Sequence, residues 1–289
     1  ALVSTSISGS ISSASLSVTR IKRTSARASG PVKDALESTM PCTRKVLLEI
    51  CNDAQCGTGS YTEVVMGRND LNEHLGSGQY FVSVALRSND YPVVSYLDSS
   101  TGDLLITACS DAQCDSKSTS VVTNTGVVTG TSQPNCDSRD CSSTTSIAIG
   151  PDGNALVAYF KNASGSATEI TSGSLALAVC TDHTGASCEE RVLDSGGVVG
   201  QGATMDLLAD GSPAIAYYDR TNQDLKLVIC SDPQCNSAEV SVIDSTGRNG
   251  GRFENRFVNS IAVASDGRIA ITYFGEDDQD LKIAVVSTA

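Results

Sequence analysis

Residues 82–114 read VSVALRSNDYPVVSYLDSSTGDLLITACSDAQC, and residues 204–235 read TMDLLADGSPAIAYYDRTNQDLKLVICSDPQC. In both segments apolar side chains alternate with polar ones, or run unbroken for five to seven residues, which is the pattern of β-strands and not of helices. Looser copies run from Ser146 to Cys188 and from Ser260 to Val286, and a fragment at 45–56, KVLLEICNDAQC, matches only the later part. Each unit reads as strand, tight turn, strand, turn, strand, cysteine-bearing turn, strand. Asp152-Gly153, Asp210-Gly211 and Asp266-Gly267 mark the first turn and predict two-residue hairpins, because Gly tolerates the positive φ that such turns require. Gly-Asp-Leu at 102–104 and Gln-Asp-Leu at 223–225 and 279–281 mark the second.

Four antiparallel strands in units of this length predict an all-β, propeller-like array of about five blades, with a β-sandwich of meanders as the alternative. The division is an extended Ser/Thr-rich basic arm at 1–43 and a disulfide-stapled β-repeat domain at 44–289. Naming the strands of a unit a to d, the fragment supplies c (Lys45–Ile50) and d (Tyr61–Met66), and the last unit supplies a to c. Three strands are then wanting from five full blades, and the arm can fill them or leave the array open. The repeat resembles the cysteine-bearing YYD…DLK…C…C repeats of bacterial-type secreted proteins, over about residues 44–289. That resemblance implies the repeat architecture and no particular activity.

Eleven cysteines change the picture most. Cys51/Cys56, Cys109/Cys114, Cys136/Cys141 and Cys230/Cys235 are each spaced C-x4-C, and Cys180/Cys188 is a wider pair. Zinc prefers C-x2-C pairs with histidine, and His74 and His183 are the only two histidines, so the pairs read as local disulfides and no metal is expected. Disulfides require an oxidising compartment, which predicts a secreted or cell-surface protein. Cys42 is left over, free or bonded to another chain. No apolar run is long enough to span a bilayer, and Ala1 opens no signal segment.

Residues 1–33 carry Arg20, Lys22, Arg23, Arg27 and Lys33 with no carboxylate, whereas the whole chain is −13. A basic arm on an acidic body excludes nucleic acid as the expected partner and points to copies of the chain itself. Val3, Thr5, Ile7 and Ile11, then Leu16 and Val18, give the arm β-character without a core of its own. The sequence therefore predicts a non-catalytic structural subunit that assembles an extracellular filament by inserting its arm into a neighbour. The alternative is a lectin-like secreted propeller that binds carbohydrate, and a glycosidase is the third reading.

The glycosidase reading rests on Asp98 and Asp219, which end strand b, but Lys161 and Gly275 stand at the equivalent places in other units. A repeated Asp there caps a turn more readily than it catalyses. Tyr96, Tyr159, Tyr217, Tyr218 and Tyr273 lie within strand b and are expected to pack or to line the ring. Glu276-Asp277-Asp278-Gln279-Asp280 clusters oxygens but lacks the Gly and terminal Glu of a calcium loop, so it reads as a solvated turn and no cofactor is expected. Asn162-Ala163-Ser164 is an N-glycosylation sequon.

Overall fold

The computed structural model describes residues 46–51, 59–65, 82–98, 101–126, 145–166, 169–245, 252–253, 256–257, 259–275 and 279–287. Every named element among them is a strand. The strands are β1 (Val46–Cys51), β2 (Gly59–Val65), β3 (Val82–Leu86), β4 (Pro92–Asp98), β5 (Asp103–Cys109), β6 (Lys117–Asn124), β7 (Thr145–Ile149), β8 (Ala155–Ser166), β9 (Glu169–Cys180), β10 (Cys188–Asp194), β11 (Val199–Leu207), β12 (Pro213–Asp219), β13 (Asp224–Cys230), β14 (Ala238–Asp244), β15 (Arg252–Phe253), β16 (Arg256–Phe257), β17 (Asn259–Val263), β18 (Arg268–Gly275) and β19 (Asp280–Ser287). They form three antiparallel four-stranded meanders, β3–β6, β7–β10 and β11–β14, with a three-stranded β17–β19 and two hairpins, β1–β2 and β15–β16. The arm residues Val3, Thr5, Ile7, Ile11, Leu16 and Val18, together with Cys42, lie outside the described residues.

The first turn of each unit has three residues, not the two expected. Leu208 N–H donates to Ser212 O at 2.9 Å around Ala209-Asp210-Gly211, and Gly211 N–H donates back to Leu208 O at 2.8 Å. The same closure recurs at Gly150/Asn154 and Ala264/Arg268. This is a type I turn followed by one left-handed residue, with Gly153, Gly211 and Gly267 at φ +82°, +87° and +84°. The aspartate before each glycine sets the loop length, because its carboxylate accepts the N–H two residues on: Asp152 from Asn154, Asp210 from Ser212, Asp266 from Arg268.

The cysteine-bearing turn is closed in the same way in three units. Disulfides join Cys109–Cys114, Cys180–Cys188 and Cys230–Cys235, three of the five expected. The other two expected pairs, Cys51 with Cys56 and Cys136 with Cys141, are not among the described disulfides. Cys51 ends β1, but its expected partner Cys56 lies outside the described residues, as do both Cys136 and Cys141. Within the turn of β5 and β6, Asp111 takes the N–H groups of Asp115 and Ser116, and those backbone bonds, Ser116's first, hold its carboxyl below the usual range. Three disulfides place the chain in an oxidising environment, and no helix among the described residues is long and apolar enough to cross a membrane.

Neighbouring sheets pack face to face, because every sheet presents alternate side chains to the unit on either side. Leu104, Ile106 and Ala108 of β5 meet Val157 and Tyr159 of β8. Leu175 and Leu177 of β9 meet Ile215 and Tyr217 of β12, and Leu225 and Leu227 of β13 meet Ile269, Ile271 and Tyr273 of β18. The innermost strands β3, β7, β11 and β17 touch in that order, which makes the array propeller-like. They are also bonded to one another: Ser83 Oγ accepts Ile147 N–H at 3.1 Å, Ser146 Oγ accepts Met205 N–H at 3.0 Å, and Asp206 Oδ2 accepts Val263 N–H at 2.7 Å.

Candidate functional site

Strand register decides which residues share one end of the array. Val199 pairs with Asp219 and Gln201 with Tyr218, Asn259 pairs with Tyr273, and Thr145 with Tyr159. The starts of the inner strands therefore lie beside the ends of the b strands. Two polar groupings gather at this end, one repeated between units and the other singular.

The repeated grouping is a clasp between sheets. Asp194, closing β10, accepts Tyr217 Oη–H at 2.6 Å and Lys226 Nζ at 3.2 Å, both from the next sheet. Lys226 also contacts Asp219 at 2.7 Å, and Asp219 takes the Asn222 side-chain amide at 2.9 Å and its N–H at 3.0 Å. One sheet further on, Asp244 accepts Tyr273 Oη–H at 2.7 Å and lies 3.7 Å from Lys282. Between β3–β6 and β7–β10 the pattern changes, since the strand-d position of Asp194 is held there by Thr123, paired with Leu104 and bonded to Tyr159, while Asn124 beside it bonds to Thr101 and Asp103. Tyr159 turns to Glu190 of its own sheet at 2.5 Å, and Lys161 pairs with Glu190 as well.

Electrostatics make the clasp a poor catalyst. Burial, then the bond to a carboxylate, pushes the Tyr217 and Tyr159 phenols far above their ordinary value, the reverse of what an activated nucleophile needs. For Asp219 burial alone would raise the carboxyl, but bonds from Lys226 and Asn222 outweigh it and hold it low. It cannot serve as a proton donor near neutrality. Asp219 is fully buried, and so, to within 6% exposure, are Tyr96, Tyr159, Tyr217, Tyr218 and Tyr273. The strand-b tyrosines thus pack between sheets and offer no stacking platforms for repeated sugar pockets.

The singular grouping sits at the start of β11. Its pairing with β12 slips twice, between Val199 and Gln201 and again between Gln201 and Thr204. Gly200 and Gly202 allow this with φ of +100° and +67°. A Cβ on Gly200 would stand 2.6 Å from the Leu175 Cα, so only glycine lets the inner strand pass there. The Gln201 side chain between these glycines is fully buried, and neither its Nε2 nor its Oε1 has a hydrogen-bond partner within the protein. Beside it, Thr204 Oγ1 donates to Asn259 Oδ1 at 2.5 Å, and Asn259 Nδ2 donates to Gly202 O at 2.8 Å. Sequence reasoning misses Gln201, whose one signal is the Gly200-Gln201-Gly202 run.

Among the described residues no group of three or more His, Cys, Asp or Glu side chains could hold a metal ion. Asp280 of the acidic run begins β19, while 276–278 lie outside the described residues. The Asn162 side-chain amide donates to Gly126 O at 3.0 Å.

No family model and no curated protein matches the chain. Among solved structures it is similar to the intramolecular trans-sialidase of Ruminococcus gnavus in complex with oseltamivir carboxylate, at 15% identity and a TM-score of 0.52, over 85% of this chain and 51% of that one. It is similar to the leech intramolecular trans-sialidase complexed with 2,7-anhydro-Neu5Ac at the same identity and TM-score, over 85% of this chain and 36% of that one. A GH43 β-xylosidase/α-arabinofuranosidase from a compost microbial metagenome aligns at 11% identity and a TM-score of 0.43, over 85% of this chain and 81% of that one. This chain thus spans about half or less of the two trans-sialidases, and the likeness to them is one of fold. The expectation of a non-catalytic, self-assembling filament subunit is corrected at this point, because the two solved chains that share its architecture at a TM-score of 0.52 are intramolecular trans-sialidases.

Proposed function

We propose that this protein recognises carbohydrate outside the cell and processes glycosides, at one site formed where the inner strands β11 and β17 begin. The observation that carries the reading is the fold likeness over 85% of the chain to two intramolecular trans-sialidases. Three disulfides support a secreted or surface setting. The same reading takes the array as a ring of five blades, with β1–β2 in the first and β17–β19 as the fifth.

Gln201 is the binding residue in this reading. A buried amide with no protein partner costs about 1–3 kcal/mol, and such a group is kept where a ligand makes use of it. Its paired donor and acceptor match adjacent sugar hydroxyls, and Thr204 and Asn259 extend the polar strip. A single site agrees with the buried strand-b tyrosines, which speak against a lectin with one pocket per blade.

The test uses a glycan array together with fluorogenic sialosides, arabinofuranosides and xylosides. Saturable binding or turnover of one glycan class is expected, and Gln201→Met should weaken it at least tenfold without lowering the thermal midpoint, because the substitution removes unpaired polar atoms. Absence of both binding and turnover across all classes overturns the reading.

A further inference from the structure

The repeat supplies an internal control for every surface, because equivalent positions can be compared between sheets. Strand c presents two apolar side chains to the following sheet at every turn of the array. In β5 these are Leu104 and Ile106, both 0% exposed; in β9, Leu175 and Leu177, both 0%; in β13, Leu225 and Leu227, 0% and 1%. In β19 the equivalents are Leu281 and Ile283, at 78% and 66%, and Val285 beside them is at 58%. Their neighbours on β18, Ala270 and Phe274, are half-buried, and Thr272 is exposed. The opposite face of the same sheet, through Ile269, Ile271 and Tyr273, is packed against β13. One face of β17–β19 therefore carries the side chains of a sheet-to-sheet interface, and no sheet among the described residues covers it.

Register within the repeat says what belongs there. The side chains that cover strand c come from strands a and b of the next unit, as Ile261 and Ile271 cover Leu225 and Leu227. The unit that follows β17–β19 around a ring is the one containing β1 and β2. KVLLEIC at 45–51 aligns with DLLITAC at 103–109, so β1 is a strand c, and strands a and b of its unit precede Val46.

We propose that the Leu281/Ile283/Val285 face is the docking surface for residues 1–44 of the same chain, which cover it and close the ring. Forty-four residues reach roughly 145 Å when extended, so the span is no obstacle. In an extended segment Val3, Thr5, Ile7, Gly9 and Ile11 fall on one face and Ser4, Ser6, Ser8 and Ser10 on the other, the pattern of a strand with one buried face. Charge agrees as well: residues 1–33 hold five basic side chains and no acidic one, and the run that leads from β18 into β19 is Glu276-Asp277-Asp278-Gln279-Asp280. The inference rests on the ring reading above but not on carbohydrate recognition.

The test uses the full chain, prepared in light and isotopically heavy forms, mixed and treated with a zero-length amine-to-carboxylate cross-linker. Links from Lys22 or Lys33 to the acids at 276–280 should join light to light and heavy to heavy. In full-length Ile283→Asp they should fall at least tenfold, and amide exchange along β19 should quicken by a similar factor. Links at the statistical light-to-heavy share would assign the face to a second copy and overturn the proposal. Unchanged exchange in Ile283→Asp would show that nothing covers the face and overturn it equally, whatever glycan binding gives.

Discussion

Lys226→Met tests whether the acid–tyrosine–lysine clasp holds the sheets together. The Lys226 side chain is 13% exposed and lies between Asp194, 13% exposed, and Asp219, which is not exposed at all. Methionine keeps the length and apolar stem of the side chain and removes only the ammonium. Asp219 then keeps its two bonds from Asn222 but loses its counter-charge inside the protein, and removing one partner of a buried pair costs about 3–5 kcal/mol. The partial exposure of Lys226 puts the expectation at the lower end, about 3 kcal/mol. For a chain of this size that is roughly 6 °C in thermal midpoint. Arg268→Met is the control: its pair with Asp266 is 61% and 53% exposed, so the cost should be below about 1 kcal/mol. The chain has no tryptophan, so urea unfolding is best followed by far-ultraviolet circular dichroism. Adding Asp219→Asn to Lys226→Met removes the stranded charge and should recover part of the loss. If Lys226→Met costs no more than Arg268→Met, or if the second substitution recovers nothing, the clasp is not a buried ionic link.

The same contacts set a pH window. The Asp219 carboxyl is depressed in the fold despite burial, so its stabilisation is present above the ordinary aspartate value, about 3.9, and is lost as pH falls through the lower folded value; Lys226 is raised by Asp219 and Asp194 despite burial, so its share is present below about 10.4 and is lost as pH climbs through the folded value. Unfolding free energy plotted against pH should decline at both ends, and in Lys226→Met the alkaline decline should shrink. Gly200→Ala should cost about 1–3 kcal/mol and more than Gly153→Ala, because a Cβ at 200 meets the Leu175 backbone whereas one at 153 meets nothing within 4 Å. Equal losses in the two variants would refute the close passage of β11.

Strands and their order were legible because two local signals coincide in each unit: alternation of side chains, and turn residues at fixed offsets. Loop size was not, since Asp-Gly serves either hairpin geometry and the choice is made by the aspartate carboxylate reaching the N–H two residues on, as at Asp210 and Ser212. Asp219 does cap a turn, at Asn222, as its place after Tyr-Tyr suggests. Its contact with Lys226 was invisible, because it pairs strands within a sheet whose other partner, Asp194, comes from the preceding one. The filament reading drew on the basic arm and odd Cys42, features of composition that lie outside the described residues. The exposure of Leu281, Ile283 and Val285 was not legible, since Asp280-Leu281-Lys282-Ile283 repeats the pattern of Asp224-Leu225-Lys226-Leu227, whose two leucines are buried.

Repetition itself separates scaffold from site in this molecule. A side chain that recurs at the same place in successive sheets must do there what its copies do, and Asp194 with Tyr217 does what Asp244 does with Tyr273. Where the sequence departs from the repeat, the departure is either absorbed locally or left open. The presence of Thr123 at the acid position is absorbed, because Tyr159 finds Glu190 in its own sheet. The double slip in β11 is left open: it buries a primary amide whose two polar atoms find nothing in the protein, and it does so on the innermost strand, beside Thr204 and Asn259. Removing that amide should cost the fold nothing, whereas removing any member of the clasp should cost it much. Chemistry that needs one site, as glycoside processing does, is to be sought at the place where the symmetry breaks without repair.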